Sequence, residues 1–130
     1  MYLLDTNTLI YFFKDIGNVA RTLLSKSPKD IAIPSISLYE LEVGIAKSNN
    51  PQTRKQQLEA LISRIVVLPF ATKEAEAAAV IRAKLENSGR PIGPYDTLIA
   101  GIALSSNATL VTHNTKEFSR VEGIIIEDWY

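Results

Sequence analysis

The stretch Tyr2-Leu3-Leu4-Asp5-Thr6-Asn7 decides the fold, and the rest of the chain is read outward from it. Tyr2-Leu3-Leu4 reads as strand and delivers a carboxylate into a polar turn. Ile10-Tyr11-Phe12-Phe13 follow at once and predict a helix that starts there. In open α/β sheets, ligands bind beyond the carboxyl ends of the strands. Asp5 therefore has two readings. It caps the next helix, or it stands where chemistry happens. The other acidic positions weigh between them.

A chain of 130 residues with 46% apolar content fits one domain, residues 1–130, with a core that needs no staples. There is no cysteine, so disulfides and thiolate metal sites are excluded. That composition permits a reducing compartment, and a cytoplasmic location is expected. No basic segment leads into a long apolar run near the N-terminus, so no signal peptide is expected. No apolar stretch approaches the roughly 20 residues that span a bilayer. The formal net charge is +0, so a nucleic-acid partner would have to bind a local basic patch.

Along the chain, residues 16–26 carry Val19, Leu23 and Leu24 at helical spacing, closed by Pro28. Asp30 to Ile33 reads as a short strand stopped by Pro34. Ser35 or Ser37 is expected to cap a helix through Leu38, Leu41 and Ile45. Asn50-Pro51 opens another, with Asn50 at the cap, Pro51 in the first turn and a stripe of Leu58, Leu61 and Ile62. The β-branched run Ile65 to Leu68 predicts a buried strand. Thr72 to Glu86 is alanine-rich and helical, ending at Ser88-Gly89. Arg90 to Tyr95 reads as a loop and Asp96 to Leu104 as a short apolar helix. Strands follow at Thr109 to Thr112 and Ile124 to Ile126, with a short helix between them. Strands alternating with helices predict an α/β/α sandwich around a parallel sheet.

Several acids fall at strand ends or helix starts. Asp5 ends the first strand. Glu40 shares a helix face with Gly44, while Glu42 points nearly the opposite way. A glycine there suggests close approach of a backbone or a ligand. Glu42 reads as a solvated charge, and Glu40 is balanced between that reading and a site role. Asp96 is the sole acid of an apolar helix. It either offsets the helix dipole or is a buried carboxylate that needs a partner such as a metal. Asn114 and Glu117 lie just beyond another strand. Oxygen-only donors suit Mg²⁺ or Mn²⁺. His113 has no second histidine beside it and reads as a loop residue.

The order and wording of four blocks resemble the PIN-domain family, within it the VapC-type ribonuclease toxins of toxin–antitoxin pairs. The blocks are Leu3-Leu4-Asp5-Thr6-Asn7, Leu38-Tyr39-Glu40-Leu41 with Gly44, Gly89 to Asp96 with Leu98-Ile99-Ala100, and Leu110 to Phe118 closing on Glu127-Asp128-Trp129. The resemblance covers essentially the full length. It implies a Mg²⁺- or Mn²⁺-dependent endoribonuclease on a five-stranded parallel sheet, with the family's acids falling on Asp5, Glu40 and Asp96. Many relatives carry aspartate where Asn114 stands, and here Glu117 is the nearby acid, so either one completes the site. The Thr112-His113-Asn114 and Glu117-Phe118 wording is similar to the branch whose members cut tRNA.

On this reading Asp5, Glu40 and Asp96 hold the ion, and Glu117 joins them in catalysis. Thr6, Asn7, Thr112 and Asn114 orient the ligands. Arg90, Lys116 and Arg120 are placed to meet phosphates. The expected partners are an RNA substrate, a cognate antitoxin and a second copy of the chain, with no membrane. The homodimer draws on Tyr11, Phe12 and Phe13, three adjacent aromatics that cannot all enter one core. Two rivals stand beside this. Asp5-Thr6-Asn7 loosely resembles the opening of a haloacid-dehalogenase phosphatase, although that family wants Thr or Val where Leu9 stands. A catalytically silent interaction module is the other.

Overall fold

In the computed structural model, which describes residues 1–130, the first strand is the middle of the sheet. Strand β1 (Tyr2–Leu4) lies between β2 (Ile31–Pro34) and β4 (Thr109–Val111), and β3 (Val66–Leu68) and β5 (Ile125–Glu127) form the two edges. All four pairings are parallel. The chain runs outward from β1 through β2 to β3, then crosses back over β1 to reach β4. That reversal puts the topological switch beside β1, and the crevice beyond its carboxyl end is where such sheets bind ligands.

The sheet is buried on both faces because successive residues of the central strands point to opposite sides. Leu3, Ala32 and Leu110 enter one core, where α5 (Thr72–Asn87), α6 (Pro94–Ser105) and α7 (Thr115–Phe118) contribute Ile81, Leu85, Ile99, Ile102 and Phe118. Leu4, Ile31, Ile33 and Val111 enter the other. There α1 (Thr6–Lys14), α2 (Val19–Leu24) and α4 (Pro51–Ile62) contribute Leu9, Val19, Leu23 and Leu61, with Leu38 and Leu41 of α3 (Ser35–Ala46) packed alongside. Each fully buried Leu or Ile stabilises by about 1.5–3 kcal/mol, so the two cores fix the ends of β1 and β4 firmly.

The order of elements follows the sequence reading, and the differences lie at the boundaries. Helix α1 begins at Thr6, four residues before Ile10, because Asp5 caps it. The helix expected over residues 16–26 shrinks to Val19–Leu24, since Gly17 takes a left-handed φ of 66° before it. Leu24 is 74% exposed and outside the core. Pro34 is the last residue of β2, with α3 starting directly behind it, so neither Ser35 nor Ser37 caps that helix. Asn50 holds the cap position of α4 without a side-chain bond, while Pro51 takes the first turn as expected. β3 is an edge strand, with Val66 38% exposed, so its β-branched run is not fully buried. α6 starts at Pro94, two residues early, which makes Asp96 its third residue.

The aromatic run after β1 is also resolved differently. Tyr11, Phe12 and Phe13 are all half-buried. Tyr11 packs edge-on against His113 and Tyr130, and Phe12 against Phe13. Tyr130 is held there because its carbonyl accepts from Asn18 N and Nδ2 at 2.9 and 3.2 Å. The chain's own C-terminal segment therefore covers part of the aromatic surface expected to be free.

Two glycines behave in opposite ways. A Cβ on Gly101 in α6 would lie 2.8 Å from Ala78 Cβ and 3.0 Å from Glu74 O, both on α5. The close α5–α6 crossing needs that glycine. Gly44 meets nothing within 4 Å, so no backbone of this chain approaches it. Urea denaturation should find Gly101→Ala destabilised by about 1–3 kcal/mol through overpacking. Gly44→Ala should be neutral or gain about 0.5–1 kcal/mol from helix propensity. A Gly44→Ala loss as large as that of Gly101→Ala would contradict this packing.

Candidate active site

Asp5 and Thr112 stand side by side because Leu4 pairs with Val111, and the next residue of each strand continues the register. Asp5 is 4% exposed and Thr112 0%. Thr112 Oγ1 donates to Asp5 Oδ2 at 2.6 Å, and the Thr8 amide donates to Asp5 Oδ1 at 2.9 Å. Both readings of Asp5 therefore hold at once: one oxygen caps α1 and the other reaches across to β4. The Thr8 hydroxyl donates to Val111 O at 3.1 Å and ties the first turn of α1 to the same strand. The Asn114 amide donates to Thr112 Oγ1 at 3.0 Å, which orients the hydroxyl proton toward Asp5.

An open cavity of about 250 Å³ lies against Asp5, with Thr6, Asn7, Glu40, Gly93 and Asp96 among its walls. Glu40 enters from α3. Thr6 Oγ1 lies 2.8 Å from Glu40 Oε1 and 2.9 Å from Ser37 Oγ. One hydroxyl proton serves one acceptor, and the carboxylate is the stronger. Ser37, fully buried, then satisfies Thr6 in turn. Asp96 enters from the first turn of α6. A Cβ at Gly93 would sit 3.4 Å from Asp96 Oδ2, so glycine there leaves the carboxylate open to the cavity.

The remaining positions separate clearly. Glu117 does not line the cavity, and its Oε2 accepts from Asn114 Nδ2 at 3.0 Å. Asn7 lines the cavity but bonds to none of the acids. Glu42 faces away and pairs with Lys55. Arg120 Nη1 donates to Pro91 O at 3.1 Å, so this guanidinium braces the loop that delivers Gly93 and Asp96. Arg90 and Lys116 are exposed. His113 sits at the surface, 3.0 Å from Asp128 and stacked on Tyr130. The sequence reading missed Thr8 and gave Ser37 only a capping role. The threonine three residues after a capping aspartate was the available signal for Thr8.

The site is electrostatically strained. Burial pushes the Asp5 carboxyl up, the Thr112 and Thr8 hydrogen bonds oppose it, and Asp128 adds to it. Asp96 is pushed up to about 6, first by desolvation, then by Asp5, Glu117 and Glu40. No three acidic or histidine side chains are preassembled to hold an ion. Glu40 and Glu117 are each drawn to a neighbouring donor, and like charges have no reason to close up alone. The donors present are hard oxygens, which fit Mg²⁺ or Mn²⁺ by type. A cation would relieve the repulsion that raises Asp96.

The PIN domain family model matches residues 2–124. The chain belongs to the PIN-domain family. It is 41% identical over 128 residues to the "tRNA(fMet)-specific endonuclease VapC" of Salmonella typhimurium, covering 98% of this chain and 97% of that one. The solved structure of DNA-bound VapBC from Salmonella typhimurium superposes with a TM-score of 0.92 at 40% identity, over 99% of this chain and 98% of that one. A toxin–antitoxin complex from Klebsiella pneumoniae superposes with a TM-score of 0.77 at 25% identity, over 96% of each chain. The expected PIN-like sandwich with a five-stranded parallel sheet is the observed fold. The phosphatase reading is not supported: Leu9, where that family wants Thr or Val, is a fully buried core residue.

Asp96 supplies a pH test. Its folded pKa of about 6 lies above the ordinary value of 3.8. The folded state thus binds the proton more tightly than the unfolded chain, and stability falls as pH rises from about 4 through 6. Asp96→Asn loses the dipole interaction but also the desolvated charge. The net upward shift shows that the second effect is larger. In chelator-treated buffer the variant should melt above wild type at pH 7.5, with the gain shrinking toward pH 5. A gain that is flat across this range, or a loss, would contradict the repulsion.

Proposed function

We propose that this chain is a Mg²⁺- or Mn²⁺-dependent endoribonuclease, the toxin of a toxin–antitoxin pair. The observation that carries the reading is the convergence of Asp5, Glu40 and Asp96 on one cavity beyond the central strand, in a chain that matches a VapC endonuclease over 98% of its length. Asp5, Asp96 and Glu40 would hold the ion, with Glu117 close enough to act on Asp96 through its charge. A bound Mg²⁺ or Mn²⁺ lowers the pKa of water and clamps a scissile phosphate. The reaction is hydrolysis: a water oxygen bonds to phosphorus as one P–O bond of the RNA backbone breaks.

The chain's own side chains divide the labour. Thr8 and Thr112 fix Asp5 by one hydrogen bond to each oxygen, leaving its other lone pairs toward the cavity. Thr6, backed by Ser37, aims Glu40. Asp96 is the carboxyl whose charge a cation in the cavity would favour most, since burial first and then Asp5, Glu117 and Glu40 raise its pKa. Asn114 holds Glu117, so both candidates for the fourth position act together rather than as alternatives. Arg90 and Lys116 are exposed and free to meet phosphates, whereas Arg120 braces the Pro91 loop.

The substrate class we infer is tRNA, by analogy with the tRNA(fMet)-specific relative. The partners we infer are a cognate antitoxin, as in the toxin–antitoxin complexes of similar fold, and a second copy of the chain. The exposed Leu24, beside a surface groove lined by Phe12 and Phe13, supports the dimer. No helix is long and apolar enough to cross a membrane.

Cleavage of total tRNA in millimolar Mn²⁺ tests the reading. Asp96→Asn should lose activity by 100-fold or more while folding normally, on the order of 3 kcal/mol of transition-state stabilisation. Glu40→Gln should be severely impaired and Glu42→Gln nearly silent, because only Glu40 faces the cavity. Equal losses in the two glutamate variants, or an active Asp96→Asn, would overturn the assignment. A wild-type protein that cuts no RNA would leave the interaction module.

A further inference from the structure

Two tyrosines at the cavity rim have no role in the chemistry described above. Tyr39 immediately precedes Glu40 on α3, and Tyr95 immediately precedes Asp96 on α6. They are 55% and 43% exposed, among the most exposed large rings of the molecule. Their centroids lie 5.9 Å apart at an interplanar angle of 72°, an edge-to-face pair. Tyr95 is itself a wall of the acid cavity, with Pro94, Asp5 and Glu40. The pair thus bridges the two helices that deliver Glu40 and Asp96, and its outer surface remains in water.

Core packing does not account for this placement, because neither ring belongs to either core. Exposed aromatic surface beside a functional cleft marks a contact with something else. Charge narrows what that is. The cavity holds acids, and the chain is neutral overall, so a polyanion gains little there from its phosphates. An uncharged ring face is a different matter. Single-stranded nucleic acid is commonly held by stacking unpaired bases on aromatic rings, whatever the base.

We propose that Tyr39 and Tyr95 form a stacking ledge for one unpaired base of the RNA, next to the phosphodiester that is cut. The ledge rests on the nuclease reading of the acid cavity and specifies its substrate as looped or single-stranded RNA with a base free to unstack. Paired RNA keeps its bases inside the helix and offers the rings nothing to stack on. The ledge positions the nucleotide. It does not touch the reacting atoms, so its loss should act on binding more than on turnover.

The test measures binding and cleavage separately. A short fluorescein-labelled single-stranded oligoribonucleotide, and versions with an abasic site at each position in turn, are titrated onto Asp96→Asn protein in Mn²⁺. Adding Tyr95→Ala should weaken Kd about thirtyfold, the middle of the range for losing one base–ring stack. Tyr39→Ala should weaken it less, and Tyr95→Phe should stay within twofold of the parent. One abasic position should weaken binding to the same degree, with little further loss when combined with Tyr95→Ala. In the otherwise wild-type chain, Tyr95→Ala should raise KM for total tRNA with kcat nearly unchanged.

An unchanged Kd in Tyr95→Ala, or abasic losses that add fully to it at every position, overturns the ledge. So does a Tyr95→Ala protein whose only defect is a changed oligomeric state by light scattering or a lost antitoxin complex, since the rings then serve a protein interface. RNA cleavage by wild type with the same Kd in Tyr95→Ala sinks the ledge and keeps the nuclease. Binding that depends on Tyr95 without cleavage by wild type does the reverse.

Discussion

The 2.6 Å hydrogen bond from Thr112 to Asp5 is the constraint on which the rest of the site depends. A carboxylate that is 4% exposed is costly to hold charged without partners. Asp5 meets that requirement with one partner from each side of the switch point. Thr8 belongs to the helix that follows β1, and Thr112 follows β4. The backbone repeats the pattern, with Asp5 N donating to Val111 O and Thr112 N to Glu127 O. Three adjacent strands are thereby locked in register at the end where the acids gather. The bond is charge-assisted and short, the stronger kind of hydrogen bond. Losing its donor would leave a buried carboxylate oxygen unsatisfied.

Once Asp5 is fixed, the other acids are measured against it. Glu40 approaches from a helix that starts behind β2, the neighbour of β1 on the far side. Asp96 comes from a helix whose first turn is opened by Gly93-Pro94 and whose entry loop is braced by Arg120. The fold therefore spends stability to bury a carboxyl and bring like charges beside it, and Asp96 records this in a pKa of about 6. Such strain is characteristic of functional sites, where the arrangement serves a ligand and not the folded state itself. The glutamates stay apart, held by Thr6 and Asn114, which suits a hydrated ion that keeps several of its waters.

The sequence made the architecture legible because the strands are short apolar runs and the helices carry clear periodicity. Asp5 and Asp96 were legible for a related reason, standing at a strand end and a helix start, and Glu40 because it alone of the two neighbouring glutamates shares the face of Gly44. What was not legible arises from contacts distant in sequence. Thr112 and Asp5 are 107 residues apart, and nothing local to either announces their bond. Ser37 reads as a cap by local rules, yet Pro34 lets α3 start at once and sends that hydroxyl inward to Thr6. Arg120 reads as a free cation until the Pro91 carbonyl is found beside it. The three adjacent aromatics of α1 read as one leftover surface because the return of Tyr130 onto Tyr11 cannot be seen in one dimension. Of the two readings of Gly44, the close backbone is the one the structure removes, since open space and close approach look alike in sequence.

The central claim is that these carboxylates are a cation site whose repulsion an ion relieves. Thermal unfolding across a Mn²⁺ titration, in wild type and in Asp96→Asn, tests it most directly. Ion binding to the folded state alone stabilises by about 2.7 kcal/mol when free ion stands a hundredfold above its dissociation constant. Wild type should therefore melt at a rising temperature as Mn²⁺ reaches the millimolar range, and Asp96→Asn should show little of that rise. The same small shift in both proteins would contradict the account, because the acids would then be a strained surface with no ion to hold.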